Sequence, residues 1–133
     1  MKYVLLMKFA VAGWKDNSMG AWPPQDIKKN IDFLNRFHKD LAEEGELVSH
    51  NGLGGPEGMK IVRAKKDGAP AITDGPFPEA KEFLAGFWIV DVDSPKRALE
   101  IAARLSSLPG RGGAPANVPI EVRPMMEGMS GDV

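Results

Sequence analysis

The segment "TDGPFPEAKEF" (73–83) places a carboxylate, Asp74, directly before a glycine, two prolines and an aromatic side chain. An aspartate beside Phe77 and an apolar strand has a hydrophobic wall that could raise the pKa of its carboxyl group towards the range of general acid/base catalysis. Turn chemistry explains the same residues without a substrate, because aspartate bonds nearby backbone, glycine adopts positive φ and proline fixes its own φ. We therefore take Asp74 as the candidate catalytic residue, with a purely structural turn as the alternative.

A second group of polar residues, His50 and Asn51, comes at the end of a predicted strand, beside the glycine-rich loop "GLGGPEG" (52–58). Polar groups at strand ends next to loops are where small-molecule sites form. We predict that His50 and Asn51 contact a substrate, and the alternative for His50 is a solvent-exposed side chain.

Three further side chains are candidates for substrate binding: Trp22, Phe77 and Lys81. Trp14 and Trp22 flank a polar segment before the first helix, and indoles in such loops form lids or interface anchors. Packing across one end of a barrel would explain the two indoles equally well. Phe77 belongs to the turn described above, and Lys81 follows it, although an exposed ion pair between Lys81 and Glu82 would account for the lysine.

No metal ion or cofactor is expected. The chain has two histidines without spaced partner ligands, and it has no cysteine. The glycine-rich segments 52–58 and 110–115 lack the strand-then-helix context and the Gly-Lys-Ser/Thr ending of a phosphate-binding loop, so we interpret both as loops. His38 falls within the apolar arc of the first helix, where we expect it to be buried and hydrogen-bonded.

The composition is that of one ordinary globular domain, with 133 residues, 43% hydrophobic and 26% charged. The formal net charge is −1 and no basic cluster is longer than Lys65-Lys66, so the electrostatic footprint of a nucleic-acid-binding protein is missing. The apolar run at the N terminus (3–7) is too short for a signal peptide, and no segment reaches the roughly 18 apolar residues of a membrane span. We expect a cytoplasmic protein without nucleic-acid or membrane partners.

Hydrophobic periodicity predicts strands over 2–9, 46–53, 59–65, 69–73, 83–92 and 118–124. Helical spacing follows Pro23-Pro24 as far as Gly45 and begins again after Ser94-Pro95. This order predicts an α+β fold, ferredoxin-like βαββαβ with a short extra strand, in which both helices cover one face of an antiparallel sheet. We expect one domain over 1–124 and a mobile tail over 125–133.

Two of the predicted strands are apolar on both faces. In the strand 83–92, simple alternation puts two apolar sets on opposite sides: Phe83, Ala85, Phe87 and Ile89 against Leu84, Trp88 and Val90. Because the two helices shield only one face, the other would expose a larger apolar patch than monomers usually tolerate. We predict a homodimer with its sheets packed face to face, the alternative being that the loops and the short strand fold over that face.

Four segments in order cover nearly the whole chain: "MKYVLLM", "GLGGPEG", "TDGPFPEAKEFLAGFWIVDVDS" and "IEVRPMME". Together they resemble the YCII-related proteins of the DGPF subgroup, which are small bacterial proteins. The resemblance implies a dimeric α/β barrel built from ferredoxin-like protomers. It implies no defined chemistry, and some members look like accessory proteins encoded beside alternative sigma factors.

The family pattern is matched at some candidate residues and not at others. Asp74 and Lys81 match the motif around the central turn. In the broader YCII-type pattern, a histidine near the middle of the first helix is proposed to form a catalytic dyad with an aspartate. The matching position here is about Leu34, so that role does not transfer to His38. Many DGPF relatives carry a glutamate where this chain has Asn51, an amide that cannot act as a general base.

Two functions fit these residues. In the first, the protein is a cofactor-independent hydrolase, isomerase or lyase acting on a small polar or ring-containing metabolite, with Asp74 as the acid/base and with His50 and Asn51 orienting the substrate. In the second, it is a non-catalytic module that binds a small molecule or a partner protein and serves regulation. An enzyme requires Asp74 and another polar group within hydrogen-bond reach of one point.

Overall fold

A computed structural model describes residues 1–126 and contains six strands and three helices in that part of the chain. Their bounds are β1 (Lys2–Ala10), α1 (Trp14–Asn17), α2 (Pro24–Glu43), β2 (Leu47–Gly52), β3 (Lys60–Ala64), β4 (Pro70–Asp74), β5 (Glu82–Asp91), α3 (Pro95–Ser106) and β6 (Ile120–Pro124). Every predicted strand and helix is present. The short helix α1 and a 3-10 turn at Met19–Ala21 are additions, because the sequence indicated only a loop there.

Four of the strands form one antiparallel sheet in the order β2-β5-β1-β6. With α2 and α3 as the crossovers, this order confirms the predicted ferredoxin-like α+β fold. The strands β3 and β4 pair only with each other in a separate two-stranded ribbon. Its turn lies at Asp67-Gly68, where Gly68 has a φ of 86° and Asp67 Oδ1 accepts a hydrogen bond from Ala69 N–H. The ribbon is therefore an insertion in the connection between β2 and β5.

Local signals fix the ends of the two long helices. α2 begins at Pro24, where a proline needs no partner for a backbone N–H, and it stops before Gly45, whose φ of 70° favours glycine. α3 begins after Ser94, whose hydroxyl accepts a hydrogen bond from Arg97 N–H at 3.2 Å. The Arg97 guanidinium also donates to both carboxylate oxygens of Glu46, each at 2.8 Å, and so ties α3 to the start of β2.

The core lies between the sheet and the two long helices. Its most deeply buried side chains come from all three layers: Leu5, Trp88 and Val90 of the sheet, Phe37 and Leu41 of α2, and Ala98, Ile101 and Leu105 of α3. Leu5 lies opposite Trp88 in the neighbouring strand, so alternate residues of each strand point towards the helices. Both long helices therefore shield the same face of the sheet, which is called the helix face below.

A β-bulge in β5 changes which side chains share a face. The strands β1 and β5 keep one register up to Met7, and beyond it Phe9 lies opposite Phe83. The extra residue, Ala85, reverses the alternation of the strand on its N-terminal side. The prediction that Phe83 shares a face with Phe87 is therefore wrong. Phe83 is 4% exposed and packs beside Phe9 on the helix face.

The other face of the sheet, called the open face below, is apolar along its two central strands. Its half-buried apolar side chains are Val4, Leu6, Leu84, Phe87 and Ile89. Leu84 is among them because of the bulge, whereas simple alternation placed it on the opposite side. The ribbon also leaves an apolar pair in solvent, since Val62 and Ile72 lie opposite each other and are 60% and 61% exposed.

The end of the chain is described only in part. Met125 N–H donates to Lys2 O at 2.9 Å and so continues the pairing of β6 with β1. Residues 127–133 of the predicted mobile tail lie outside the described residues. Within residues 1–126, no helix combines the length and the apolar character needed to cross a membrane.

Candidate ligand-binding site

A pair of facing glycines opens a cavity between the sheet and α2. Gly52 at the end of β2 lies opposite Gly86 in β5, and Gly86 lies opposite Met7 in β1. The next residues on the same face, His50 and Trp88, are large. Because neither glycine has a side chain, the helix face is hollow at this point, and the space measures about 510 Å³. This volume falls within the roughly 300–1,000 Å³ of small-molecule sites.

The helix α2 forms the wall opposite the glycines. Asn30, Leu34 and His38 all line the cavity. They are four residues apart and therefore lie along one stripe of the helix. By the resemblance described above, Leu34 lies at about the position of the histidine of the broader YCII-type pattern. The structure thus brings that position, as well as His38 one turn further on, to the cavity wall.

The segment 13–22 covers the cavity and is called the lid below. Its two indoles, Trp14 and Trp22, both line the cavity. The Trp14 ring packs against Phe9 and Phe83, with ring centroids 5.7 and 4.8 Å away. Trp22 hydrogen-bonds within the lid itself through its indole N–H. The bulge that brings Phe83 to the helix face therefore also supplies an anchor for the lid.

The loop that follows α3 fastens the lid to the rest of the protein. The Arg111 guanidinium donates hydrogen bonds to the carbonyl oxygens of Asp16 and Ala21 in the lid, both at 3.0 Å. On the other side of the loop, the buried Asp26 of α2 accepts a hydrogen bond from Gly112 N–H at 2.9 Å. Lid, loop and helix are thus joined by charge-assisted hydrogen bonds.

Two histidines stack where the cavity meets the edge strand β2. The rings of His38 and His50 have centroids 3.7 Å apart and planes inclined at 17°. Trp88 Nε1–H donates to His38 Nε2 at 2.8 Å, so this nitrogen carries no proton and the neutral ring bears its proton on Nδ1. Burial, and secondly the charge of His50, lower the pKa of His38. These contacts all favour a neutral His38 at the cavity wall.

The lining of the cavity is mostly apolar and contains no carboxylate, ammonium or guanidinium group of the described residues. No Asp, Glu, Lys or Arg side chain of the described residues takes part in it. Its polar side chains, apart from the indoles, are Asn17, Asn30, His38 and His50. All three tryptophans of the chain line it: Trp14, Trp22 and Trp88. Such a lining suits an uncharged ring better than an ion, because a buried charge without a partner is costly. Within residues 1–126, no three His, Asp or Glu side chains are grouped so that they could hold a metal ion.

Two of the predicted binding residues, His50 and Trp22, line this cavity. Asn51 does not, because it follows His50 in β2 and pairs with Phe87, which directs its side chain to the open face. The structure therefore separates His50 and Asn51 by the thickness of the sheet. His38, expected to be buried and hydrogen-bonded, is half-buried and accepts the hydrogen bond from Trp88.

The remaining candidates, Asp74, Phe77 and Lys81, lie outside the cavity. Asp74 ends β4 with a side chain that is 84% exposed and forms an ion pair with Lys60. Phe77 is 45% exposed and Lys81 is also exposed. Residues 1–126 of a single chain thus do not supply the hydrophobic wall expected beside Asp74.

The turn after Asp74 differs from the predicted one. Gly75 does not adopt a positive φ, and the Gly75–Pro76 peptide bond is cis. Close packing favours glycine there instead, since an added Cβ would lie 2.9 Å from Met59 Cγ and that side chain would have to shift. Gly75 N–H also donates to Met59 O at 2.9 Å. Gly75 and Pro76 border a second, more open cleft together with Trp14, and Asp74 is not part of its lining.

Sequence reasoning missed the residues that create the space. Gly86 interrupts the strongest strand of the chain, and a glycine inside a strand signals a bulge or a close approach. Its position opposite Gly52 follows only from the register of the sheet. Asn30 and Leu34 could have been grouped with His38 from their four-residue spacing alone.

Comparison with known proteins places the chain in a family. A family model of the YCII-related domain matches residues 1–121, a range that includes every residue lining the cavity. An uncharacterised protein of Rhizobium meliloti (strain 1021) is 30% identical over 120 residues, which span 90% of this chain and 92% of that protein. The chain therefore belongs to the YCII-related family.

Proposed function

We propose that the protein binds a small, mostly apolar organic molecule in the cavity between the sheet and α2. The observation that carries this proposal is a space of about 510 Å³ that one chain encloses and that no charged side chain of residues 1–126 lines. Burial of apolar surface contributes about 25 cal/mol per Å². A ring system in this space would therefore be held chiefly by the hydrophobic effect, and Asn30 and His38 would orient it.

The construction of the cavity supports a ligand site over a packing defect. A void in a core is destabilising because the atoms around it lose contacts. A side chain at Gly52 would reduce the void without strain, since a Cβ added there meets no atom within 4 Å. The chain nevertheless carries glycine at this position, and it also builds an anchored lid over the space. Both features fit a space that a ligand fills.

We infer that two copies of the chain associate through their open faces. The apolar side chains of this face are Val4, Leu6, Leu84, Phe87 and Ile89. An ion pair between Lys8 and Glu121, at 2.8 Å, flanks them on the same face. An apolar centre with a polar border is typical of protein interfaces. Such a dimer would leave both cavities intact, because each lies on the helix face of its own sheet.

Acid/base catalysis by Asp74 is a second proposal, and it depends on that dimer. The Asp74 side chain is 84% exposed in the single chain. A second copy that covered the ribbon could supply the hydrophobic wall that general acid/base work requires. A non-catalytic role in regulation needs no such wall, because the cavity alone would hold the molecule that is sensed.

Filling the cavity tests the main proposal. The uncharged probe N-phenyl-1-naphthylamine fluoresces more strongly in apolar surroundings, and energy transfer from the three tryptophans reports its proximity to them. We expect the probe to bind the wild type. Gly52→Leu should weaken its binding at least about tenfold, or about 1.4 kcal/mol, because the leucine side chain occupies the space.

Gly54→Leu is the matched control. A Cβ at Gly54 also meets no atom within 4 Å, but this residue is not part of the cavity lining. We expect this variant to bind the probe like the wild type, and circular dichroism should verify that both variants are folded. Equal binding by the two variants would locate the probe elsewhere, for example on the open face, and would contradict the proposal.

A further inference from the structure

Asn30 is a nearly buried residue beside the cavity, and its side-chain oxygen has no hydrogen-bond donor among the described residues. Its side chain is 5% exposed, and its Nδ2–H donates to Pro109 O at 2.9 Å. No group of residues 1–126 donates to its Oδ1 atom. Every fully inaccessible side-chain oxygen or nitrogen of these residues has a partner, so the unpaired Oδ1 is accessible. Since Asn30 lines the cavity, a ligand there can reach this atom.

The orientation of this acceptor is fixed from two sides. The Asn30 backbone belongs to α2, and the hydrogen bond to Pro109 O holds the amide plane against the loop that follows α3. If the oxygen and nitrogen of the Asn30 amide were exchanged, Oδ1 would face the Pro109 carbonyl oxygen and the two would repel. The hydrogen bond to Pro109 therefore establishes which of the two atoms is Oδ1. A ligand that excludes water from this acceptor must donate a hydrogen bond to it, because an acceptor left unpaired in apolar surroundings is unfavourable.

The charge of the ligand follows from the same lining. No described cationic side chain could pair a carboxylate or phosphate inside the cavity, and no described carboxylate could pair an amine. The hydrogen bond from Trp88 Nε1–H requires an unprotonated His38 Nε2 and so opposes a cationic imidazole at the wall. An ionised ligand would therefore lose its hydration without gaining a counter-charge from an Asp, Glu, Lys or Arg side chain.

The shape of the ligand follows from the aromatic walls. Rings face the cavity from several directions: Phe9 and Trp88 of the sheet, Trp14 and Trp22 of the lid, and His38 of α2. Aromatic pairs gain from offset-stacked or edge-to-face contacts beyond the area that they bury. A planar ring would make such contacts with both the lid and the sheet.

We propose that the ligand is an uncharged, ring-containing molecule whose hydroxyl or N–H group donates a hydrogen bond to Asn30 Oδ1. This inference rests on the proposed function, because it specifies the chemical class of the molecule that the cavity takes. Asn30 is then the residue that selects ligands with a donor, while the aromatic walls supply the apolar contact.

Three naphthalenes of similar size test the inference by isothermal titration calorimetry at pH 7. They are 2-naphthol, which has a neutral donor, 2-methoxynaphthalene, which has none, and 2-naphthoate, which is an anion. We expect 2-naphthol to bind about tenfold more tightly than 2-methoxynaphthalene, the ratio for one hydrogen bond made to an otherwise unpaired acceptor. The anion should bind most weakly of the three.

Two variants on the same stripe of α2 assign the preference to Asn30. Asn30→Leu should lower the affinity for 2-naphthol to that for 2-methoxynaphthalene and leave the latter unchanged within about twofold. Leu34→Ala removes apolar contact but no polar atom, so it should weaken both ligands and preserve their ratio. If Asn30→Leu proves unfolded by circular dichroism, Asn30→Ala takes its place in the same comparison and should likewise abolish the preference for 2-naphthol.

The outcomes separate this inference from the proposed function. If none of the three naphthalenes binds, the cavity does not take ring-containing molecules and both proposals fail. If they bind with equal affinity, or if the anion binds most tightly, the cavity is a ligand site but the donor-to-Asn30 inference is overturned. A donor preference that persists in Asn30→Leu would overturn it as well.

Discussion

Alternate residues of the same strands form the two faces of the sheet, yet the two faces are covered in different ways. The helix face is covered by α2 and α3, and it is hollow where Gly52 meets Gly86. The open face carries a continuous set of half-buried apolar side chains. One face thus encloses a space within a single chain, whereas the other leaves a surface that a second chain could cover.

This difference shows that two neighbouring residues of one strand can differ in their burial and in whether they contact the cavity. Leu5 is fully buried on the helix face, and Leu6 beside it is half-buried on the open face. In the same way His50 reaches the cavity and Asn51 does not. A shift of one residue in register would exchange the side chains of the two faces. The bulge at Ala85 has this effect locally, and it thereby determines which aromatic side chains can support the lid.

The largest expected effect comes from comparing Leu5→Ala with Leu6→Ala. Leu5→Ala should lower the free energy of unfolding by about 2–5 kcal/mol at every protein concentration, because it leaves a hole in the core. Leu6→Ala should lower the free energy of unfolding by less than half as much in dilute solution. Its cost should grow with protein concentration if the open face is an interface, since association stabilises only the folded chain. Urea denaturation at nanomolar and at tens of micromolar protein would measure both, and a concentration-independent cost at Leu6 would count against the dimer.

A charge on the open face should have the next largest effect. Phe87→Arg would place two guanidinium groups in the apolar centre of the inferred interface, where neither has a partner. We expect the dimer to dissociate at least about 100-fold more readily, or about 2.7 kcal/mol, while the folded chain keeps its cavity. Sedimentation velocity would follow the particle mass, and binding of N-phenyl-1-naphthylamine would show whether the cavity survives. A wild type that sediments as a 14.4 kDa monomer at micromolar concentrations would remove the dimer from the account.

The smallest effect concerns the histidine pair on the helix face. Burial and the charge of His50 lower the pKa of folded His38 below its ordinary value of about 6.5. The unfolded chain therefore binds the proton first as the pH falls, so stability is retained above pH 6.5 and declines as the pH drops through the folded pKa. The decline should be shallower in His38→Gln, whose amide oxygen can still accept from Trp88 but does not titrate.

Urea denaturation at several values between pH 5 and 7 would measure this slope, which for one proton cannot exceed about 1.4 kcal/mol per pH unit. Glu46 contributes separately to the pH dependence of the free energy of unfolding. The hydrogen bond from Arg97 lowers the pKa of Glu46 below 4.5, so the stability that it adds is lost only at more acidic pH. Identical slopes in the wild type and in His38→Gln would mean that His38 does not carry the effect.

Much of the fold could be predicted because local signals agree with the tertiary structure. The Pro24 start of α2, the Gly45 stop, the Ser94 cap and the Asp67-Gly68 turn each act through a few neighbouring residues. The alternation of residues along β1 agrees with the two faces found in the structure. The alternation along β5 failed beyond Ala85, because a bulge depends on the partner strand and leaves no pattern of its own in the sequence.

The site was harder to predict because it consists of residues that are distant in the chain. Asp74 stands out in the sequence by its neighbours, yet Gly75 beside it is favoured by close packing against the Met59 side chain. The cavity depends instead on Gly52 and Gly86, whose meeting requires the register, and on Asn30, which lies in the ordinary helical segment Lys29-Asn30-Ile31. A cavity that forms because two glycines face each other can be recognised only when the pairing of the surrounding strands is known.

A crystal structure of the protein with 2-naphthol bound tests the central claim most directly, because it distinguishes the two faces of the sheet. We expect density for the ring between β5 and α2, beneath Trp14 and Trp22, with the hydroxyl oxygen about 2.8 Å from Asn30 Oδ1. Density for the ring among Leu6 and Phe87 on the open face, or in the cleft beside Gly75, with the Gly52–Gly86 cavity filled only by water, would contradict the account.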